Sequence, residues 1–367
     1  MISFYLFCFL IYSVQLIFLI RSWSEGRKQM DENDYSEPVS LLIPFRNESE
    51  NIEELCRQLA KVTPSVAEVL LIDDHSEDDS RSKLERCSGS ISKLKIIDNP
   101  GQGKKTALAH GVAMAKGSII LTSDADCFFQ DGWVKQMLLP FADAKIQLVA
   151  GPVLSRIERA GFLDRFQQVE WASILLLTHF FFIKKQPLMC SGANLAYRKS
   201  AFLKVNGYAG NEEIASGDDE FLLKKIVLEF SGDSCQYLSR NETLVLTRPQ
   251  NDFFGMLNQR KRWAGKWSYH SSISHSLTAV FFGILQMVWL GSVTLLFLGL
   301  FSIISFFAIW LGKILLEKWV LGKVLYSFNK EPSFGVFIKT SLFHPVYVIS
   351  TIFGIIFGKY TWKGRSQ

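Results

Sequence analysis

The sequence predicts an α/β domain with a mostly parallel sheet, flanked by N-terminal and C-terminal transmembrane helices. Three observations carry this expectation. Short apolar runs alternate with helical patterns between Arg21 and His275. Long uncharged stretches lie at both ends, at residues 1–20, 276–311 and, with His344 as the one residue that could carry a positive charge, 340–358. Acidic residues gather where the apolar runs of the middle region end.

With 367 residues, 48% of them hydrophobic and 30 of them Phe, the chain has room for one sizeable folded domain plus a membrane part. An apolar stretch of about 18 residues or more can cross a bilayer as a helix. Residues 1–20 qualify, and Arg21, Arg27 and Lys28 follow. No basic residue precedes the run and no small-x-small site follows it, which predicts a retained anchor over 1–22 rather than a cleaved leader. The positive-inside rule then places the next domain in the cytoplasm of a multi-pass cell-membrane protein. Residues 276–358 read as two or three spans. The 276–311 stretch is long for one upright helix and short for two, with a break expected near Gly291 or Gly299. Residues 359–367 form a basic tail. Three spans and four both remain open at this point.

A net charge of +5 in such a chain suits anionic lipid headgroups better than nucleic acid. The bilayer is therefore an expected partner and nucleic acid is not. The cysteines at 8, 56, 87, 127, 190 and 235 form no CxxC pair. They read as reduced thiols, not as a zinc site or redox motif. His179, His270 and His275 lack paired ligand spacing and read as lone polar residues near a membrane surface.

In the middle domain, expected at 36–250, the runs at 39–43, 69–72, 94–97, 119–122 and 148–150 are strand-like. Ile52, Leu55, Leu59 and Val62 recur at near-helical spacing, as do Ala107, Leu108, Gly111, Val112 and Ala115. Strands alternating with helices imply parallel pairing, and ligands bind beyond the carboxyl ends of such strands.

Asp73-Asp74 closes the second run, and Asp124-Ala125-Asp126 follows the fourth. Two carboxylates at i and i+2 beyond a strand can hold a hard divalent cation that bridges a diphosphate. A carboxylate such as Asp74 can accept hydrogen bonds from a base or ribose; a strand-end cap is the competing reading. The segment 101–106 lacks the first Gly of a P-loop, yet Lys104 or Lys105 near a helix N-terminus could meet a phosphate. Gly217-Asp218-Asp219-Glu220 opens a further helix. Its acids could serve as helix caps or supply a general base. Gln259-Arg260-Lys261-Arg262-Trp263, within a segment expected at 251–275, precedes the C-terminal membrane block. It could be a basic interfacial stretch or a cap offering Arg262 to a diphosphate.

Taken in order, PFRNE at 44–48, IDDHS at 72–76, DAD at 124–126, SGANLAYRK at 191–199, GDDE at 217–220 and QRKRW at 259–263 resemble the family-2 glycosyltransferases of GT-A fold. The resemblance spans 38–263 and extends to the family's integral-membrane branch, which holds ceramide-glucosyltransferase-like enzymes and polysaccharide synthases. It implies a nucleotide-sugar-binding GT-A domain in which Pro44, Arg46, Glu48, Asp73, Asp74, Lys104 and Asp124 face the nucleotide. Asp124 and Asp126 would hold Mg²⁺ or Mn²⁺, and Asp219 would be the catalytic base. Gly192, Asn194, Asp218, Gln259, Arg262 and Trp263 would line the donor and acceptor side, with Arg260 and Lys261 at variable positions. The implied reaction is inverting transfer from a nucleotide-sugar to a lipid or glycan acceptor. A processive polysaccharide synthase and a catalytically silent scaffold are the alternatives. The short apolar stretch 172–183 is expected to lie on the bilayer and help admit a lipid acceptor.

Overall fold

The structure, a computed structural model, describes residues 1–25, 37–89, 91–210, 217–264, 273–357, 361–362 and 365–366. In chain order the elements begin with α1 (Ile2–Glu25), β1 (Val39–Phe45), α2 (Ile52–Val62), β2 (Glu68–Asp73), α3 (Ser80–Ser88), β3 (Leu94–Asp98), α4 (Lys104–Met114) and β4 (Ile119–Thr122). Then come β5 (Cys127–Phe129), α5 (Trp133–Leu138), β6 (Leu148–Ala150), β7 (Val153–Ser155), α6 (Phe162–Ile183), β8 (Leu195–Arg198), α7 (Lys199–Lys204) and α8 (Asp218–Phe230). β9 (Cys235–Tyr237), β10 (Val245–Thr247), α9 (Phe253–Ala264), α10 (Ile273–Gly291), α11 (Leu300–Tyr326) and α12 (Phe334–Phe357) complete the two main bodies.

The chain divides into two compact units. One holds Glu25–Arg156 and Leu177–Arg248; the other holds Met1–Ser24, Ile157–Leu176 and Pro249–Gln367.

The first unit is built on a seven-stranded sheet of order β3-β2-β1-β4-β8-β6-β9. β3, β2, β1 and β4 are mutually parallel, β8 runs antiparallel to both β4 and β6, and β9 is parallel to β6. β1, β2 and β4 are buried at every position, as expected for strands covered on both faces. Ile52, Leu55, Leu59 and Val62 make the buried face of α2, as their spacing predicts. Gly111 permits close packing of α4 on the sheet, because a Cβ there would stand 2.8 Å from Leu42 and 3.0 Å from Ile72. A three-stranded sheet of order β5-β10-β7 stands beside the main one; its three-residue strands are too short to show periodicity in the sequence. Cys56 on α2 and Cys87 on α3 form a disulfide, so the expectation of six reduced cysteines fails for this pair. The helices that bring them together pack side by side, a proximity that spacing along the chain does not encode.

Among the described residues the second unit has four helices long and apolar enough to cross a membrane: Ile2–Trp23, Val280–Phe297, Leu300–Tyr326 and Phe334–Ile355. Gly299, with φ +97°, separates the second from the third. The third helix runs beyond the uncharged stretch because its charges are compensated. Lys313 and Glu317 lie one turn apart and pair at 2.7 Å. Tyr12 and Ser341 donate to the Glu317 carboxylate, and the indole rings of Trp289 and Trp310 flank Lys313 at 5.6 and 5.3 Å. Intramembrane charges persist when paired in this way.

The 172–183 stretch is not a short helix lying bare on a surface. It is the C-terminal half of the 22-residue α6, and Phe166, Val169, Ala172, Leu176 and His179 are buried along it. His179 packs against Tyr237, with ring centroids 5.9 Å apart, and is a core histidine rather than a membrane-surface one. His270 and the side chain of His275 lie outside the described residues, as does most of the basic tail.

Candidate active site

The ends of β1 and β2 form one wall of the site. Asp74 is buried, and its Oδ1 accepts hydrogen bonds from the Gly103 N–H and from Asn99 Nδ2, both at 2.7 Å. Asp73 Oδ1 accepts from the Ser76 N–H at 2.9 Å, and Arg81 approaches its other oxygen to 3.7 Å. Pro44 lies within β1, in register with Ile72. Arg46 donates to the Asp74 carbonyl and to Glu77, each at 3.0 Å. The Glu48 N–H donates to Ser80 Oγ at 2.7 Å, and its carboxylate accepts from Asn51 at 2.6 Å. In this arrangement Arg46 and Glu48 brace the loops that present Asp73 and Asp74.

Asp124 and Asp126 lie beyond β4. Asp124 Oδ1 accepts from Lys104 Nζ at 2.6 Å, and the same ammonium stands 3.6 Å from Asp218 Oδ2. Thr247 Oγ1 donates to Asp126 Oδ2 at 2.9 Å. Burial alone would push the Lys104 pKa down, but Asp124, Asp218 and Asp219 outweigh it and hold Lys104 protonated well above its usual range. Lys104 begins α4, and Gly103 before it takes the left-handed φ of +94°, which places the ammonium among these acids.

The base candidate sits on α8. Gly217, with φ +85°, starts the helix. Asp219 Oδ2 accepts from the Gly192 N–H at 2.9 Å, and Oδ1 accepts from the Glu220 N–H at 2.7 Å. Gly192 passes so close that a Cβ there would lie 2.9 Å from Asp218 Oδ2 and 3.5 Å from Lys104 Nζ. Lys104, Asp124, Gly192, Asp218 and Asp219 therefore converge, although 115 positions separate the first from the last in number.

Asn194 differs from expectation. It is fully buried. Its Nδ2 donates to the Pro152 and Thr243 carbonyls, and its Oδ1 accepts from Trp133 Nε1. With its carboxamide spent on the protein, Asn194 shapes the loop carrying Gly192 rather than meeting a ligand.

In the other unit, α9 carries Gln259, Arg262 and Trp263. The residue that the sequence reading passes over is Arg260. It is buried and ion-paired with Glu170 through Nε at 2.8 Å and through a second, shorter contact from Nη2. Its guanidinium stacks 4.1 Å from the Trp263 ring, and Trp263 meets Trp171 edge-on. Gln259 accepts from Arg260, and Tyr347 of α12 donates to Glu170 at 3.0 Å. Sequence reasoning also missed Asn99 and Thr247, the partners of Asp74 and Asp126. Both are polar residues just beyond apolar runs, which is the one signal they carry.

The acidic pair suits a hard divalent cation. Asp124 and Asp126 offer carboxylate oxygens, and Asp124 already holds a cationic ammonium. Among the described residues no group of three or more His, Cys, Asp and Glu is arranged to hold a metal. An ion at this pair would complete its shell from water or a ligand, as Mg²⁺-type ions do with phosphates.

Residues 40–205 match the model of Glycosyl transferase family 2. The chain is 32% identical over 93 residues to the undecaprenyl-phosphate 4-deoxy-4-formamido-L-arabinose transferase of Pseudomonas fluorescens, a stretch covering 24% of this chain and 27% of that protein. It is 24% identical over 247 residues to the poly-beta-1,6-N-acetyl-D-glucosamine synthase of Staphylococcus aureus, covering 65% of this chain and 56% of the synthase. These stretches thus span between about a quarter and somewhat over half of the relatives' lengths. Among solved structures, the mannosyltransferase PcManGT of Pyrobaculum calidifontis, in complex with GDP-Man and Mn²⁺, aligns over 97% of this chain and 99% of its own, with a TM-score of 0.57 at 15% identity. That likeness concerns the fold, which is GT-A with membrane helices.

Proposed function

We propose that this chain is an inverting glycosyltransferase. It would move a sugar from a nucleotide-sugar, a UDP-hexose or UDP-N-acetylhexosamine, to a lipid or lipid-linked acceptor at the cytoplasmic membrane face. The observation that carries this reading is the convergence of Lys104, Asp124, Gly192, Asp218 and Asp219 beyond the ends of the central strands. Asp73 and Asp74 receive the nucleoside, and Lys104 meets the diphosphate. Asp124 and Asp126 would hold Mg²⁺ or Mn²⁺, which when bound neutralises the departing diphosphate. Asp219, oriented by the Gly192 N–H, takes the proton of the acceptor hydroxyl as it attacks the anomeric carbon opposite the leaving group. The membrane helices support an acceptor drawn from the bilayer, and the basic residues after α1 support the cytoplasmic side.

The longer match to a polysaccharide synthase favours a second reading, a processive enzyme. One experiment separates the two. The purified protein in nanodiscs receives Mn²⁺ or Mg²⁺, a panel of nucleotide-sugars and a total lipid extract, with UDP release and products followed by mass spectrometry. A lipid heavier by one sugar supports the proposal, and a ladder of additions supports the synthase. No release with any donor, together with no metal-dependent UDP binding, contradicts both.

A further inference from the structure

The proposed transfer uses no residue of the small sheet, yet one side chain of that sheet holds an acid the transfer needs. Asp126 is the last residue before β5. β5 pairs antiparallel with β10, with Cys127 in register with Thr247. β7 flanks β10 on its other edge, with Ser155 opposite Thr247. Thr247 is therefore held by a strand on either side, and its carbonyl accepts from the Arg156 N–H at 2.8 Å. From that fixed backbone Thr247 Oγ1 donates to Asp126 Oδ2 at 2.9 Å. Branching at Cβ restricts χ1 of a threonine, which keeps the hydroxyl aimed.

The two acids of the DAD segment are held in different ways. Asp124 is joined to the Lys104 ammonium at 2.6 Å. An ammonium repels a divalent ion, so the hold of Lys104 on Asp124 weakens as one binds. Thr247 is a neutral donor and meets no such repulsion. It can stay on Asp126 while the same carboxylate coordinates a metal, because a carboxylate offers about four lone-pair sites.

Other constraints on the Asp126 carboxylate are slight. The turn hydrogen bond of the segment runs from the Cys127 N–H to the Asp124 carbonyl at 3.3 Å and does not involve the Asp126 side chain. The Cys127 thiol, a weak donor, lies 3.8 Å from Asp126 Oδ1. Asp126 is only half-buried. A metal binds more tightly to a ligand that a partner behind it has already oriented, and Thr247 occupies that place.

We propose that Thr247 is a positioning residue for the cation site: by holding the Asp126 carboxylate it sets the affinity of the DAD segment for a divalent metal. This rests on the reading of Asp124 and Asp126 as metal ligands, and the test separates the two. Mn²⁺ is titrated against the full chain in nanodiscs, with and without UDP, and bound metal is read by electron paramagnetic resonance. Wild type is compared with Thr247→Val, which removes the donor at nearly constant volume, and with Thr247→Ser, which restores it. Asp126→Ala and Asp126→Ala/Thr247→Val complete the set. Thermal melts check folding, and Thr247→Ala takes the place of Thr247→Val if the latter melts early.

Thr247→Val should bind Mn²⁺ about 10- to 100-fold more weakly, the range for loss of a partner behind a metal ligand. Thr247→Ser should recover most of that loss. Because Thr247 acts through Asp126, adding Thr247→Val to Asp126→Ala should bring no further loss. Wild-type affinity in folded Thr247→Val, beside a weakened Asp126→Ala, overturns the proposal alone. Thr247→Ser as weak as Thr247→Val also overturns it, because the hydroxyl would then not be the cause. A further loss on the Asp126→Ala background does the same, since Thr247 would act by another route. If Asp126→Ala binds Mn²⁺ like wild type, or wild type binds none, the metal reading itself fails and the proposal falls with it.

Discussion

Gly192→Ala probes the crowded centre of the site with a single methyl group. The new Cβ would lie 2.9 Å from Asp218 Oδ2 and 3.6 Å from the Asp219 Cβ. Carbon and oxygen rest near 3.4 Å, so something must yield by about 0.5 Å. Asp218 has little room to do so, being a short buried side chain held by Lys104 at 3.6 Å. The displacement therefore falls on the start of α8 and on the 2.9 Å hydrogen bond from the Gly192 N–H to Asp219. Overpacking of this kind costs about 1–3 kcal/mol, and misplacing a catalytic group by up to about 1 Å can cost on the order of 100-fold in rate. We expect kcat for UDP release to fall about 10- to 100-fold, with metal-dependent UDP affinity changed by less than about threefold, since the nucleotide contacts proposed above lie on β1, β2 and α4. Steady-state UDP release combined with titration of UDP in the presence of Mn²⁺ measures both. Wild-type kcat in a folded Gly192→Ala protein would refute the placement of Asp219 against this loop.

Two further predictions concern buried polar residues of the scaffold. Arg260→Ala should cost about 3–5 kcal/mol, because it strands the buried Glu170 carboxylate. Chemical denaturation in detergent should show this, with a double Arg260→Met/Glu170→Met variant losing less than the sum of the two single ones. Asn194→Ala removes the partners of the Pro152 and Thr243 carbonyls and of Trp133, at about 1–3 kcal/mol for each buried group left unsatisfied. The same unfolding measurement should register a clear loss, whereas a neutral result would place Asn194 outside the scaffold.

The parallel half of the sheet was legible because its strands are buried on both faces and read as unbroken apolar runs, as at Leu41–Ile43 and Val69–Ile72. Helix α2 was legible through its apolar spacing. The acidic residues were visible because a strand end is where an α/β sheet presents ligand contacts. What remained hidden depends on contacts between distant segments. β5, β7 and β10 are three residues each, too short for any period to emerge. The run of α11 to Tyr326 was masked by Lys313 and Glu317, whose charges cancel only once Tyr12, Ser341 and the flanking tryptophans are in place. Arg260 looked variable within a basic string, and its burial depends on Glu170, 90 residues earlier. Asn194 was expected as a ligand contact from the family resemblance of the 191–199 segment, yet its side-chain partners come from three other segments of the fold.

The central claim is that Asp219 removes the acceptor proton while the nucleotide is held elsewhere in the same site. The most direct measurement compares Asp219→Asn with wild type in nanodiscs, scoring Mn²⁺-dependent UDP binding and sugar transfer on the same preparations. The account predicts UDP affinity within about threefold of wild type and transfer reduced by at least about 100-fold, the scale of general-base catalysis. Transfer at the wild-type rate by Asp219→Asn would contradict it.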